Sequence, residues 1–207
     1  MQVLGGAASD AARDAEVNGK PPRILPLTEQ ELSPEAKDYC KQLRKTLGVP
    51  ESGLIPGVTA TMLRHLDLND AQTEMGIMLA VKGKISPRER ELAVLRIGWL
   101  AGAPYEWGEH VKISQRYGVS REEIARVQQG SAAAGWSEHE AAILRGVEEL
   151  LSDFAVSDAT WDILAKSWNE AQMLEYPSMV GQYVVTAYIQ NSVRSRLGPE
   201  NPGLSHC

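Results

Sequence analysis

A chain of 207 residues, 43% hydrophobic and 23% charged, has the composition of a single globular domain with a real core. Its net charge of −6, with no basic cluster to offset it, excludes nucleic acid as a partner. No run approaches the roughly 18 consecutive apolar residues of a spanning helix, so no membrane partner is expected.

Met1 to Lys20 is polar and rich in Ala and Gly, without the basic-then-apolar order of a secretory signal. It is read as a flexible N-terminal tail over 1–22, followed by one all-helical domain over 23–197 and a Pro/Gly-rich tail over 198–207, disordered or draped on the surface. Helices are expected near 34–47, 59–67, 70–82, 87–102, 104–117, 121–129, 138–152, 158–166 and 172–196, with a loop at 48–57. The punctuation supports them. Ser33-Pro34-Glu35 sets a cap before a proline suited to the first helical position. Ser86 with Glu89, Ser120 with Glu123 and Ser137 with Glu140 each form a capping box. Gly118 stands at a left-handed helix stop. No run alternates as a strand would, so the chain is all-α. Cys40 and Cys207 lie in neither C-x-x-C nor metal-ligand spacing, and a reducing, cytoplasmic setting is expected.

The chemistry concentrates between Glu89 and Gly118, in two helices broken at Gly102-Ala103-Pro104. Glu106 and His110 are four residues apart and share a face with Ile113 and Tyr117, while Glu109, Lys112 and Arg116 form a solvated stripe. Glu91 shares its face with Val94, Leu95 and Gly98, where a carboxylate is costly to bury unless it is paired or functional. Two carboxylates and an imidazole on adjacent helices make a workable acid–base set. Plainer readings compete: a surface Glu–His pair, or a Glu91 salt bridge to Arg88, Arg90 or Arg96. A metal site is disfavoured, because Glu-x-x-x-His is neither the Glu-x-x-His of di-iron bundles nor H-E-x-x-H. No metal or cofactor is therefore expected.

The block R-E-x-E-L-x-x-L-R at 88–96, then Y-E-W-x-x-H at 105–110, then the stop at Gly118 with Ser-x-Glu-Glu-Ile, resembles the carboxymuconolactone decarboxylase-like superfamily. Alkylhydroperoxidase D (AhpD) belongs to the same group. The likeness is specific over residues 54–140 and looser to Arg196. It implies an AhpD-like helical bundle that assembles as a homo-oligomer (dimer, trimer or hexamer). In the peroxidase branch a Cys-x-x-Cys-x-x-x-His motif follows a glutamate by twelve residues. Placing its histidine on His110 puts the thiols on Ala103 and Glu106 and the glutamate on Glu91. Ala103 and Glu106 can supply neither the attacking nor the resolving thiol, so thiol peroxidase activity is not expected.

The decarboxylase branch is similar in carrying a glutamate four residues before its histidine. The resemblance then implies a cofactor-free lyase or isomerase, acting on a small unsaturated carboxylate, lactone or ring compound. His110 would be the electrophilic donor or acid, Glu106 its orienter or partner base, and Glu91 the second proton carrier. Tyr105 and Trp107 are candidate pocket walls, and Arg96 a candidate carboxylate clamp. On the last helix Met179, Tyr183, Ala187 and Asn191 form a mixed stripe, read first as an oligomer contact, with Tyr183 able to reach a pocket. Two alternatives stand beside this reading: a non-catalytic oligomeric ligand-binding protein, and a metal-dependent hydrolase or oxygenase using the same residues.

Overall fold

The computed structural model describes residues 10–47, 57–201 and 203–204. Its helices run α1 (Asp10–Val17), α2 (Pro34–Leu47), α3 (Gly57–Met62), α4 (Leu66–Ile77), α5 (Pro87–Leu100), α6 (Pro104–Arg116), α7 (Arg121–Gln129), α8 (Glu138–Asp153), α9 (Asp158–Ala165) and α10 (Glu170–Val193). A 3-10 turn at Leu63–His65 joins α3 to α4, and a wider π turn at Met78–Lys82 follows α4. No strand occurs among the described residues. Most of the expected loop at 48–57 lies outside them.

The capping boxes expected at Ser86, Ser120 and Ser137 all form, each with its reciprocal side-chain and backbone bonds. A fourth, Asn169 with Gln172, opens α10. Their glutamates do more than cap. Arg88 bonds Glu123 and Glu140 together (2.8 Å to Glu140), and His139 Nε2 meets Glu89 Oε1 at 2.7 Å. The starts of α5, α7 and α8 are thus tied at one end of the bundle.

Helix α5 is the axis. Nine consecutive residues from Arg90 to Gly98 are buried, because α6, α7, α8 and α10 surround it. One side, Ala93 and Ile97, joins a core with α8, α9 and α10 that includes Ile143, Leu164, Tyr176 and Met179. The other, Leu92 and Leu95, joins Trp107, Ile124, Val127 and Leu144. A third, smaller cluster gathers Leu32, Ala36, Cys40 and Leu63. The α5–α6 hairpin turns at Gly102, whose φ of +51° ends α5, and the Ala103 N–H donates back to Gly98. Gly98 lets α6 approach: a Cβ there would lie 3.2 Å from the Trp107 backbone nitrogen.

Three expectations are changed or sharpened. The first break after α3 falls at His65, not at 68–69, because the His65 imidazole accepts the Leu68 N–H and starts a new helix. The N-terminal tail contains α1, which docks on α6 through Arg13 Nε donating to Gly102 O (2.9 Å). The C-terminal tail folds back: Asn201 is buried and donates to Tyr105 O (3.0 Å) and Glu109 Oε1 (2.8 Å), while Leu204 enters the Trp107 core. The two end segments also meet, the Leu204 N–H donating to Asp14 (3.1 Å). Their alternation of small, polar and occasional apolar residues reads as a tail until a partner surface is supplied.

Candidate functional site

Helices α5, α6 and α10 bring the expected acid–base set together. Glu91 on α5 is almost fully buried, as is Glu106 on α6. His110, one turn beyond Glu106, stands between them. Its Nδ1 lies 2.6 Å from Glu91 Oε2, and its Nε2 lies 3.3 Å from Glu106 Oε1. Burial by itself works against the imidazolium, yet hydrogen bonds and charge from Glu106 and Glu91 outweigh it and push the His110 pKa up to about 10. At neutral pH the ring is a cation with two N–H donors. Its side chain keeps 12% exposure, so it is not sealed in.

Each carboxylate has a further partner. Arg90 Nε reaches Glu91 Oε1 at 3.3 Å, and Arg90 Nη1 contacts the Ala80 carbonyl at 3.4 Å. Gln190 of α10 donates its Nε2 to Glu106 Oε2 at 2.7 Å. The order through space is therefore Arg90, Glu91, His110, Glu106, Gln190. The Tyr183 ring and the imidazole meet in a T-shaped contact, centroids 5.4 Å apart at 88°. Its phenol pKa is raised, first by burial and then by the charges of Glu106 and Glu91. It stays a neutral phenol.

A cavity of about 200 Å³ opens beside this chain, between α3, α4 and α10. Tyr183 and Gln190 line it; Glu91, Glu106 and His110 do not, so any molecule in it meets the relay through those two residues. None of the twelve described residues that line it is charged.

The remaining expected site residues divide. Tyr183 is at the site. Tyr105 is half-buried near Glu106 and Glu109; burial and those two charges raise its phenol to about 12, but it does not line the cavity. Trp107 is a core residue: it is fully buried, tilted against Trp99 at 5.1 Å, among Leu92, Leu95 and Val111. Arg96 is not a free clamp. Its Nε and Nη2 bind Glu148 (2.9 and 2.8 Å) and its Nη1 donates to the Val127 and Gln128 carbonyls (both 3.0 Å). Every face of that guanidinium is used in holding the turn after α7.

The stripe read as an oligomer contact also faces inward. Met179 and Ala187 are buried, and Asn191 donates to the carbonyls of Ala101 and Gly102. Gln190 escaped the sequence reading, although it lies two turns beyond Tyr183 on the same face. Among the described residues no three His, Cys, Asp or Glu side chains are arranged as a metal-ligand set. Cys40 is buried in the small cluster with Leu63, and burial raises its thiol pKa. None of the described helices is long and apolar enough to cross a membrane.

Residues 68–149 match the model of the Carboxymuconolactone decarboxylase family. No curated protein matches in sequence. Solved structures with a similar fold include an uncharacterized peroxidase-related protein from Silicibacter sp. TM1040, at 15% identity and TM-score 0.72, over 89% of this chain and 95% of that one. A second, an AhpD-core peroxidase-related protein from Ralstonia eutropha JMP134, is 17% identical at TM-score 0.72, over 87% and 95% of the two chains. A third, the debrominase Bmp8 solved with 2,3,4-tribromopyrrole, is 17% identical at TM-score 0.69, over 86% and 92%. The α4–α8 segment thus carries the family's sequence pattern, and the whole chain has the AhpD-like helical fold of these structures.

Proposed function

We propose that the chain is a cofactor-free proton-transfer enzyme, a lyase or isomerase of a small unsaturated compound, with Glu91, Glu106 and His110 as its acid–base set. One observation carries this reading: a partly accessible imidazole held as a cation between two buried carboxylates, beside a ligand-sized cavity. The 2.6 Å bond to Glu91 fixes the ring, and the longer 3.3 Å contact at Nε2 is the one a substrate oxygen can displace.

In an isomerisation, the Glu106 carboxylate takes a proton from a carbon next to a conjugated carbonyl. The C–H electron pair moves into the ring system, and the His110 Nε2–H stabilises the enolate oxygen. Returning the proton to another carbon completes the reaction with no net change in charge or redox state. In a decarboxylation the broken bond is C–C, CO2 leaves, and the imidazolium supplies the proton that replaces it. Neither route uses a thiol, in keeping with Ala103 and Glu106 at the positions where thiol peroxidases carry cysteines. Solved structures of similar fold include a debrominase and peroxidase-related proteins, so the fold alone fixes no reaction. An oligomer belongs to this reading, supported by Leu174 (71% exposed) and Tyr188 (65%) on the outer side of α10.

A second reading has its own support. Arg90 pairs with Glu91, and no member of the acid–base set lines the cavity. Those facts also suit a binding protein whose Glu–His–Glu set is structural.

Proton NMR in deuterated water separates the two. Wild type, His110→Ala and Glu106→Gln are offered small unsaturated lactones, carboxylates and ring ketones. Deuterium entering carbon, or CO2 release, with wild type and at least 100-fold less with either variant is the expected result. No exchange with any substrate, from protein that is folded, overturns the enzyme reading.

A further inference from the structure

None of the described residues that line the cavity beside the relay is charged, and its polar groups are unequally satisfied. Gln182 Nε2 donates to Gln72 Oε1 at 2.9 Å, and Thr186 Oγ1 donates to the Gln182 carbonyl at 3.0 Å, so these three serve each other. Two buried amides are left over. Gln190, 3% exposed, has its Nε2 committed to Glu106, which fixes its orientation and leaves Oε1 with no donor. Asn69, 4% exposed, faces the Tyr39 hydroxyl, but its Nδ2 makes no hydrogen bond of normal geometry. Both line the same cavity, one from α10 and one from α4. A buried amide atom left without a well-formed bond is costly, so a pair of them in one cavity marks where a ligand's polar atoms belong.

We propose that this cavity binds a neutral one-ring compound carrying a hydrogen-bond donor for Gln190 Oε1 and an acceptor for Asn69 Nδ2, as a lactam or cyclic enone-amide does. Treating that compound as the substrate rests on the proton-transfer reading; the binding site itself does not. Size agrees: a dry cavity of roughly 150 Å³ is enough for benzene, so about 200 Å³ takes one ring with a few substituent atoms. Charge agrees as well. A carboxylate here would meet no cation among the described lining residues. Gln190 is then a positioning residue that links ligand to relay, since a donor arriving at Oε1 polarises the amide and strengthens its bond to Glu106.

Calorimetric titration of the full chain with 2-pyridone, benzoate and toluene tests this. The expected order is 2-pyridone tighter than benzoate and toluene by tenfold or more. Asn69→Leu, close in volume, should weaken 2-pyridone about tenfold and leave toluene unchanged. Met62→Trp, which fills the cavity without removing a polar side chain, should abolish binding of both. Equal or tighter binding of benzoate, indifference to Asn69→Leu and Met62→Trp, or no binding of 2-pyridone each overturns the proposal. Deuterium exchange measured on the same variants keeps the two readings apart. Binding without exchange removes the enzyme and keeps the site. Exchange that ignores Met62→Trp keeps the enzyme and removes the site.

Discussion

Replacing Glu91 by Gln probes the centre of the site. The carboxylate is 1% exposed and touches two cations, Arg90 Nε at 3.3 Å and His110 Nδ1 at 2.6 Å. Breaking a buried ion pair typically costs about 3–5 kcal/mol, because the remaining charge stays desolvated. The amide recovers part of this, since its oxygen still accepts one bond, but its NH2 faces a second donor. A net loss of about 3 kcal/mol follows, a large share of the roughly 5–15 kcal/mol that holds most domains folded. With a urea slope of about 2–3 kcal/mol/M, the unfolding midpoint at pH 7 should fall by about 1–1.5 M.

The variant should also release His110. With one carboxylate gone, its pKa should fall from about 10 towards the ordinary 6.5, readable from the imidazole nitrogen shifts in an NMR titration. Glu106→Gln is the internal control. That carboxylate sits 3.3 Å from Nε2 and its other oxygen accepts from a neutral amide, so the cost should be nearer 1 kcal/mol. Equal costs for the two variants, or a His110 titration untouched by Glu91→Gln, would refute the idea that Glu91 holds the charged ring.

Other outcomes follow from the same geometry. Because the folded His110 pKa lies above its ordinary value, its stabilisation is complete below pH 6.5 and is lost as pH rises towards 10; urea midpoints should decline across that window, and the decline should vanish in His110→Phe. At the acid end, Arg88 holds Glu123 below the ordinary 4.5, and for Glu140 the bonds from Arg88 and Ser137 outweigh burial with the same result. Their stabilisation is present above pH 4.5 and is lost as pH falls below it, a loss that Arg88→Met should blunt. Gly108→Ala would put a Cβ 1.7 Å from Asn201 Oδ1; despite about 1 kcal/mol of gained helix propensity, the protein should lose about 2 kcal/mol as the 201–204 segment lifts, and proteolysis near the C-terminus should quicken. Gly130→Ala, at φ +91° and 2.6 Å from Arg96 Nη2, should cost about 2–3 kcal/mol in thermal or urea unfolding.

The helices were legible in the sequence because their signals are local. A cap and the glutamate it answers lie three residues apart, and Gly102 and Pro104 stop and restart the chain within one turn. The proximity of Glu106 and His110 on α6 was legible for the same reason, four residues being one helical turn. What could not be read is what arrives from elsewhere. Gln190 reaches Glu106 across 84 positions, and Glu148 takes Arg96 across 52, so no window of sequence contains either pair. The termini misled in the same way, since the donors and acceptors that pin Asn201 and Arg13 belong to α6 and its turn.

Trp107 shows where adjacency in sequence fails even inside a correctly placed helix. Successive residues on a helix point about 100° apart, so a neighbour of Glu106 is turned away from whatever Glu106 faces. Glu106 and His110 look towards α5 and α10, while Trp107 and Val111 look into the core shared with α7. The residues that wall a helical site are its partners three, four and seven positions along, on the facing helices. By that rule the wall of this site is written on α10, where Tyr183 and Gln190 stand seven apart. The aromatic beside the glutamate supports the site by packing, so Trp107→Leu should lower stability by about 2–4 kcal/mol and leave the affinity of the cavity for a neutral ring within about twofold. A larger loss of affinity than of stability would place the binding site on the wrong face of α6.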